Sequence, residues 1–420
     1  MSAESEVRRR IQERVRITFA AFMEIALYWP RGGYYTSREP IGAHGDYYTS
    51  PAVHPAFGAL LAVQLYQMWQ LLDRPAPFTI LEPGAGSGLL CRDISSYAKK
   101  LPGDFAASLH YVCLDRRIAG PIESGLAKTS RVLADGVPFR GLQGCVLSNE
   151  YLDAFPVHQV VMTTDGLKEV YIGLEDGKLV ELTGEPSDPR LAARFEGLGI
   201  TLAQGQTAEV NLTLDRCYQD IAAAMDRGFV LSIDYGRTAQ DLYDPERRFR
   251  GTLVTYQQHI QTDSPLTRIG SQDITAQVDF TSAAQAGEDA RLDTLGLVTQ
   301  REFLSNLNLD YWLQYLRDTS LLPRQMQANR AGILDLVRPE GLGDFKILAQ
   351  GKNVGKPELW GLNQSTEATE LVKSLPVPTL TDRHISLPDG RSSGSEVEFE
   401  AFWPLTDSET SEGPDGMPSR

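Results

Sequence analysis

The sequence predicts an α/β fold with a doubly wound, mostly parallel sheet, an antiparallel insertion and additional helical elements. Four apolar runs that end in polar residues support this fold: "FTILE", "SLHYVCLD", "GCVLSNE" and "GFVLSIDYG". Helical patterns alternate with them, and we place helices near 55–72, 89–101, 117–127 and 212–226. This alternation is typical of a parallel sheet covered by helices on both faces.

Three regions surround or interrupt that pattern. Residues 1–72 carry an amphipathic first helix, with apolar residues at helical spacing from Ile11 to Ala26, and then a tyrosine-rich loop. Within the main domain, 73–350, Asp-Gly turns at 165–166 and 176–177 indicate hairpins, so 159–210 is predicted to be the antiparallel insertion. The extension 355–420 is rich in Pro, Ser, Glu and Asp, and we expect its end to be disordered.

Composition excludes several classes of protein. Among 420 residues the formal net charge is −15, which disfavours a nucleic-acid partner because phosphate contacts need a basic face. The four cysteines form no CxxC pair, so we expect no metal site, no disulfide framework and a reducing, cytosolic location. No run of 18 apolar residues suggests a membrane span.

The stretch "LEPGAGSG" indicates a nucleotide-type loop between a strand and a helix. Gly84, Gly86 and Gly88 allow a sharp turn and a close approach of the backbone to a ligand. Their G-x-G-x-G spacing lacks the third glycine of a dinucleotide site, and no lysine follows as in a P-loop. Glu82 would repel a pyrophosphate but can accept from the ammonium group of S-adenosylmethionine, and Asp115 ends the next strand where an acid contacts ribose hydroxyls. The alternatives are a tight structural turn for the glycines and a surface turn for Asp115.

The chain resembles a known family through an ordered set of motifs. These are "FMEIALYWPRGGYY", "GDYYTSP", "LEPGAGSG", "SNEYLDAFPVHQ", "SIDYG", "GTLVTYQQH", "QDITAQVDF" and "TQREFL", spread over about residues 15–350. Together they are similar to the MidA family of class I S-adenosylmethionine-dependent methyltransferases, which includes the mitochondrial complex I assembly methyltransferase.

The resemblance implies S-adenosylmethionine as cofactor and symmetric dimethylation of a protein arginine, in a subunit of NADH dehydrogenase for the mitochondrial members. It also implies that "GDYYTSP" folds over the cofactor, with contacts from Gly45, Asp46 and Thr49. Two departures stand out. Asp115 replaces the glutamate usual in the family, and the tail after about 355 matches no family motif.

Arginine methylation needs carboxylates near the reacting nitrogen, because a cationic guanidinium must approach a cationic sulfonium. "SNEYLDAFP" supplies them at the carboxyl edge of the sheet, where ligands bind in open α/β folds. We predict that Glu150 and Asp153 contact the guanidinium and that Asn149 fixes their loop. The alternative for Asp153 is helix capping.

Other polar residues are ambiguous in the sequence. Asp234 ends the strand "LSID" and could contact a ligand or simply form a turn. His158 and His259 are candidate bases, although a buried, hydrogen-bonded histidine is the commoner case. Asp273 and Asp279 could orient a substrate or pair with cations of the sheet.

Two rival functions remain at this point. A non-catalytic assembly factor could retain the fold without transferring methyl groups. An inactive site, however, would not need to keep the glycine loop. A nicotinamide-dependent oxidoreductase is disfavoured by the glycine spacing.

Overall fold

The computed structural model describes residues 1–37, 49–117, 128–257, 260–262 and 264–384. In these ranges the helices are α1 Ala3–Arg14, α2 Phe19–Tyr28, α3 Tyr34–Ser37, α4 Ser50–Val53, α5 Ala56–Leu71, α6 Leu89–Ala98, α7 Phe105–Ser108, α8 Arg190–Leu198, α9 Thr213–Ala224, α10 Ala239–Leu242, α11 Phe280–Asp289, α12 Gln300–Asn306, α13 Leu309–Tyr315, α14 Pro323–Asp335 and α15 Thr366–Lys373. The strands are β1 Ile17–Thr18, β2 Phe78–Pro83, β3 Leu109–Asp115, β4 Lys128–Leu133, β5 Leu142–Asn149, β6 His158–Thr163, β7 Gly166–Glu175, β8 Lys178–Gly184, β9 Thr207–Val210, β10 Met225–Asp234, β11 Gly236–Arg237, β12 Val254–Gln257, β13 Ile260–Thr262, β14 Asp273–Thr275, β15 Val278–Asp279, β16 Asp293–Thr299 and β17 Lys346–Lys352. The helix expected at 117–127 lies outside the described residues.

A seven-stranded sheet in the described ranges forms the centre of the fold, in the order β16-β17-β10-β5-β2-β3-β4. The pairs within β10-β5-β2-β3-β4 are parallel, and β17 pairs antiparallel with both β10 and β16. The prediction of a mostly parallel α/β sheet is therefore confirmed. The carboxyl ends of β2, β3, β5 and β10 meet at one edge of this sheet, and the candidate site residues follow those ends.

The insertion predicted from the Asp-Gly turns is present as a separate antiparallel sheet. Strands β6, β7 and β8 form consecutive hairpins, and β9 pairs with β6. The N-terminal strand β1 adds to its edge by pairing with β7, a contact that no local pattern in the sequence indicates.

The prediction of one first helix is wrong, because α1 and α2 are two helices separated at Val15. Val15 adopts a φ of 69°, which ends α1, and Thr18 caps the start of α2 through a bond from the amide of Ala21. Apolar residues of both helices belong to one buried cluster. The apolar spacing therefore continues across the break, and neither Gly nor Pro marks it.

The segment after Gly355 packs onto the main core as far as the structure describes it. Leu359, Trp360 and Leu375 are buried in the same cluster as α5 and α6. The end that we expected to be disordered, 407–420, lies outside the described residues. Within the described chain, no helix is both long and apolar enough to cross a membrane.

Candidate active site

The glycine loop between β2 and α6 turns through three positive φ angles. Gly84, Gly86 and Gly88 have φ values of 72°, 49° and 80°, a region that residues with a Cβ enter at a cost. A Cβ on Gly84 would lie 2.8 Å from Cδ2 of Tyr151. The loop needs glycine there for its backbone and for its packing.

Asp115 fastens this loop to the end of β3. Its Oδ2 accepts from the amide of Gly86 at 2.9 Å, and its Oδ1 accepts from the amide of Arg117 at 3.2 Å. Asp115 therefore lies beside the glycines, and its contact with ribose hydroxyls stays a prediction.

Glu82 is placed differently from our expectation. Its carboxyl group is 4% exposed and accepts from the hydroxyl of Tyr111 at 2.8 Å. Burial is the main cause that raises its pKa well above the usual range, and the charge of Asp115 adds to it. The side chain lies behind the loop, whereas the next residue, Pro83, faces the cavity.

A cavity of about 930 Å³ opens at this edge of the sheet. It brings together four of the predicted site residues, Gly84, Gly86, Asp115 and Glu150. It does not include Glu82, Gly88, Thr49, Asn149 or Asp153 in its lining. Its volume is within the range of small-molecule sites.

Glu150 follows β5 at the mouth of the cavity and has an unusual backbone. Its φ is 49°, and its amide donates to the carbonyl of Ile233 at 2.9 Å. Its carboxylate accepts from Nδ2 of Asn149 at 2.9 Å and from the backbone of Ser50. Burial, followed by the charge of Asp153, raises the pKa of Glu150 to about 8. Asn149 thus contacts Glu150, and its role in fixing the loop stays a prediction.

Asp153 lies one turn further on and is 7% exposed. Its Oδ2 accepts from the hydroxyl of Thr275 at 3.0 Å, and the hydroxyls of Thr275 and Tyr235 are hydrogen-bonded to each other. Burial raises the pKa of Asp153 to about 6. The negative charge of Asp153 acts on Glu150, although Asp153 does not line the cavity.

Asp234 at the end of β10 holds residues 150–154, which we call the acidic loop. Its Oδ2 accepts from the amides of Tyr151, Leu152 and Asp153 at 3.1, 2.9 and 3.3 Å, and its Oδ1 accepts from the amide of Tyr235 at 2.9 Å. Of our two alternatives for Asp234, turn formation is the one with contacts in the structure.

Thr49 is 5% exposed and directly precedes α4, whose first residue contacts Glu150. It therefore lies beside the acidic loop but outside the cavity lining. Gly45 and Asp46, the other residues expected over the cofactor, lie outside the described residues.

His158 and Asp279, two of the four remaining candidates, have structural contacts. Nδ1 of His158 is 2.7 Å from Oε1 of Glu169, away from the cavity. Asp279 caps α11 by accepting from the amides of Thr281 and Ser282. Asp273 is fully buried in β14, and His259 lies outside the described residues.

Our sequence reasoning missed most of the cavity lining, including Tyr28, Tyr35, Arg116 and Asp135. Tyr28 and Tyr35 come from the N-terminal helices, whereas Arg116 and Asp135 follow β3 and β4. Tyr35 was interpreted as a packing residue of the tyrosine-rich loop, and Tyr28 was not singled out. Asp135 could have been found as the acid before a glycine in "LADG". The strand before it, β4, is polar, so the segment lacks the apolar run that precedes the other site acids.

The described chain contains no group of three or more His, Cys, Asp or Glu side chains arranged to hold a metal ion.

Comparison with known proteins identifies what this edge of the sheet resembles. The model of a family described as "Putative S-adenosyl-L-methionine-dependent methyltransferase" matches residues 60–298, more than half of the chain. "Protein arginine methyltransferase NDUFAF7, mitochondrial" from Rattus norvegicus is 27% identical over 369 residues, covering 80% of this chain and 80% of that protein. Its Bos taurus counterpart is 28% identical over 398 residues, covering 86% and 85%.

A solved structure shows the same architecture. The crystal structure of a Burkholderia thailandensis protein bound to S-adenosyl-homocysteine has a TM-score of 0.75 and 25% identity, covering 87% of this chain and 96% of that one. Together with the family match, it confirms S-adenosylmethionine as the cofactor. The positive-φ glycines, Asp115 and the size of the cavity fit such a ligand.

The comparison also corrects one expectation. We expected a cytosolic location from the cysteine pattern, and this was wrong, because the curated relatives are mitochondrial proteins. Four buried thiols indicate a reducing environment but do not distinguish between reducing compartments.

Proposed function

Because the chain belongs to this family of S-adenosyl-L-methionine-dependent methyltransferases, we propose that it methylates an arginine of a protein substrate and forms symmetric dimethylarginine. The observation that carries the proposal is Glu150, a carboxylate held beside the glycine loop in the wall of the cavity. The names of the curated relatives support arginine as the acceptor.

The cofactor, when bound, supplies a sulfonium methyl group, and the chain's own residues hold it. The amides of the glycine loop and the carboxylate of Asp115 line the part of the cavity suited to the amino-acid and ribose portions. Asp135, which is 88% exposed at the cavity rim, is a polar partner for the adenine end. Glu82 does not line the cavity. It supports the glycine loop from behind, where it accepts a hydrogen bond from Tyr111.

Glu150 binds and orients the acceptor nitrogen. Its carboxylate draws the positive charge of a guanidinium toward the nitrogens that it contacts and leaves the third nitrogen more nucleophilic. Holding that nitrogen in line with the methyl group is worth roughly 7–11 kcal/mol in well-oriented reactions. The pKa of about 8 applies without a cation nearby, and an approaching guanidinium lowers it and favours the carboxylate.

Asp153 and Asp234 keep this loop in place. Asp234 accepts hydrogen bonds from three successive amides of the turn. Asp153 adds a second negative charge near Glu150. We propose that Asp153 acts on the guanidinium through its charge, since its carboxyl group lies outside the cavity lining.

The protein partner that we propose is a subunit of NADH dehydrogenase. The ordered motifs of the sequence, which resemble the family of complex I assembly methyltransferases, support this choice.

The test is product analysis. The purified chain is incubated with S-adenosylmethionine and a preparation of NADH dehydrogenase from cells that lack the chain, and tryptic peptides are fragmented. The proposal expects dimethylarginine that loses monomethylamine, the signature of one methyl on each terminal nitrogen. Loss of dimethylamine would contradict the symmetric product, and methyl groups only on lysine or histidine would contradict the arginine acceptor.

A further inference from the structure

Tyr28 and Arg116 form an internal cation–π contact inside the cavity. The Cζ atom of Arg116 lies 3.9 Å from the centroid of the Tyr28 ring, and both residues line the same cavity as Glu150. A guanidinium over an aromatic face marks a place where such a group binds favourably. We propose that the Tyr28 ring is the subsite for the substrate guanidinium and that Arg116, which contacts this ring, gives up its place when the substrate binds. The inference rests on the proposed function, since it assumes an arginine acceptor.

The position of the Tyr28 ring is set by the acidic loop. Its hydroxyl donates to the carbonyl of Ala154 at 2.7 Å, and Ala154 directly follows Asp153. Tyr35 stacks against Tyr28, with ring centroids 5.5 Å apart and an interplanar angle of 21°. A guanidinium over this ring therefore has a fixed distance to the loop that carries Glu150.

The electrostatic surroundings favour a cation at this ring. Burial is the main cause that raises the pKa of Tyr28, and the negative charges of Asp273 and Asp153 raise it further. The phenol therefore stays neutral and keeps its hydrogen bond to the loop. The same carboxylates attract a cation toward the ring face.

The ion pairs of Arg116 are weak enough for its side chain to move away from the Tyr28 ring. Its ion pairs with Glu24 and Asp135 are both 3.4 Å long, and those two carboxylates are 48% and 88% exposed. Exposed pairs of this kind contribute little to stability. Two guanidinium groups repel each other, so a substrate arginine and Arg116 cannot share the ring, and Arg116 must move toward solvent when the substrate binds.

The test compares an arginine peptide with its uncharged counterpart. Acetyl-Gly-Arg-Gly-amide and the same peptide with citrulline are titrated by NMR into the chain saturated with S-adenosyl-homocysteine. In Tyr28→Leu the preference for arginine over citrulline should fall about three- to thirtyfold, the range of a cation–π contact. Tyr28→Phe keeps the ring and its stacking on Tyr35 but loses the bond to Ala154, so the preference should fall less than in Tyr28→Leu. Arg116→Gln removes the competitor and should tighten arginine binding while leaving citrulline unchanged.

A matched control separates this role from packing. Tyr171 also donates its hydroxyl to a backbone carbonyl and carries a guanidinium, that of Arg16, 4.0 Å from its ring centroid, but it lies outside the cavity lining. Tyr171→Leu should not alter the preference for arginine.

Three outcomes would overturn the subsite: no preference in the parent chain, equal loss of both peptides in Tyr28→Leu, or weaker arginine binding in Arg116→Gln. The titration needs no turnover, so it is judged separately from the proposed function. A chain that shows the subsite but methylates no arginine would contradict only the proposed function.

Discussion

Glu150→Gln should stabilise the ligand-free chain at alkaline pH and leave its stability nearly unchanged at acidic pH. The pKa of Glu150 is raised in the folded chain, so folding favours its neutral form. The stability associated with that neutral form is fully present below the unfolded pKa. It is lost as pH rises through about 8, because the folded chain must then hold a buried charge.

The size of the effect follows from the two pKa values. The shift from 4.5 to about 8 corresponds to an upper limit of about 4 kcal/mol between pH 4.5 and 8.5, at about 1.4 kcal/mol per unit. Glu150 is only partly buried by solvent accessibility, so we expect about 1–2 kcal/mol after screening by water. Glutamine keeps an oxygen that can accept from Asn149, so the hydrogen bond itself is retained.

Urea denaturation at pH 5 and pH 8.5 measures this difference. The control is Glu181→Gln, which replaces an exposed glutamate of β8. The reasoning is refuted if Glu150→Gln changes the free energy of unfolding equally at both pH values, or if it destabilises the chain at pH 8.5.

The remaining predictions concern the supports of the site. Asp234→Asn should lower the free energy of unfolding by about 1–3 kcal/mol in urea titrations, because asparagine has one acceptor oxygen and its NH2 group must face either the three amides at Oδ2 or the amide of Tyr235 at Oδ1. A change below about 0.5 kcal/mol would contradict the role of Asp234 in holding this loop. Gly84→Ala should weaken S-adenosyl-homocysteine at least about tenfold in calorimetry, because a positive φ costs about 1–2 kcal/mol and the added Cβ meets the ring of Tyr151. Gly177→Ala is its control, with a φ of 75° and no neighbour within 4 Å, and equal losses in both variants would contradict the account. Asp115→Asn should weaken the same ligand about tenfold, and unchanged binding would remove Asp115 from the cofactor site.

The central fold could be predicted because the sequence patterns that indicate it are short and local. Strand β2 and the glycines after it follow directly from the sequence, and the Asp-Gly pairs at 165–166 and 176–177 identify both hairpins of the insertion. The break at Val15 could not be predicted, since β1 forms only by pairing with β7, more than 150 residues away.

The candidate site was predicted in part for the same reason. Gly84, Gly86, Asp115 and Glu150 follow strand ends, and parallel strands bring those ends to one edge. The direction of the Glu82 side chain depends on Tyr111 of the neighbouring strand, so the pattern around the glycines could not reveal it.

Arg116 and Tyr28 illustrate a second limit. Tyr28 ends α2 and Arg116 follows β3, 88 positions further along the chain. Tyr28 belongs to the motif "FMEIALYWPRGGYY", but nothing in that motif indicates a contact with Arg116. Contacts of this kind depend on tertiary packing.

The most direct test of the account measures binding and transfer in parallel for Glu150→Gln. S-adenosyl-homocysteine affinity is determined by calorimetry, and transfer of a deuterated methyl group to arginine is followed by mass spectrometry of an extract from cells lacking the chain. We predict unchanged affinity and at least about a hundredfold loss of labelled arginine. Undiminished labelling, or loss of cofactor binding together with transfer, would contradict the assignment of Glu150 to the guanidinium.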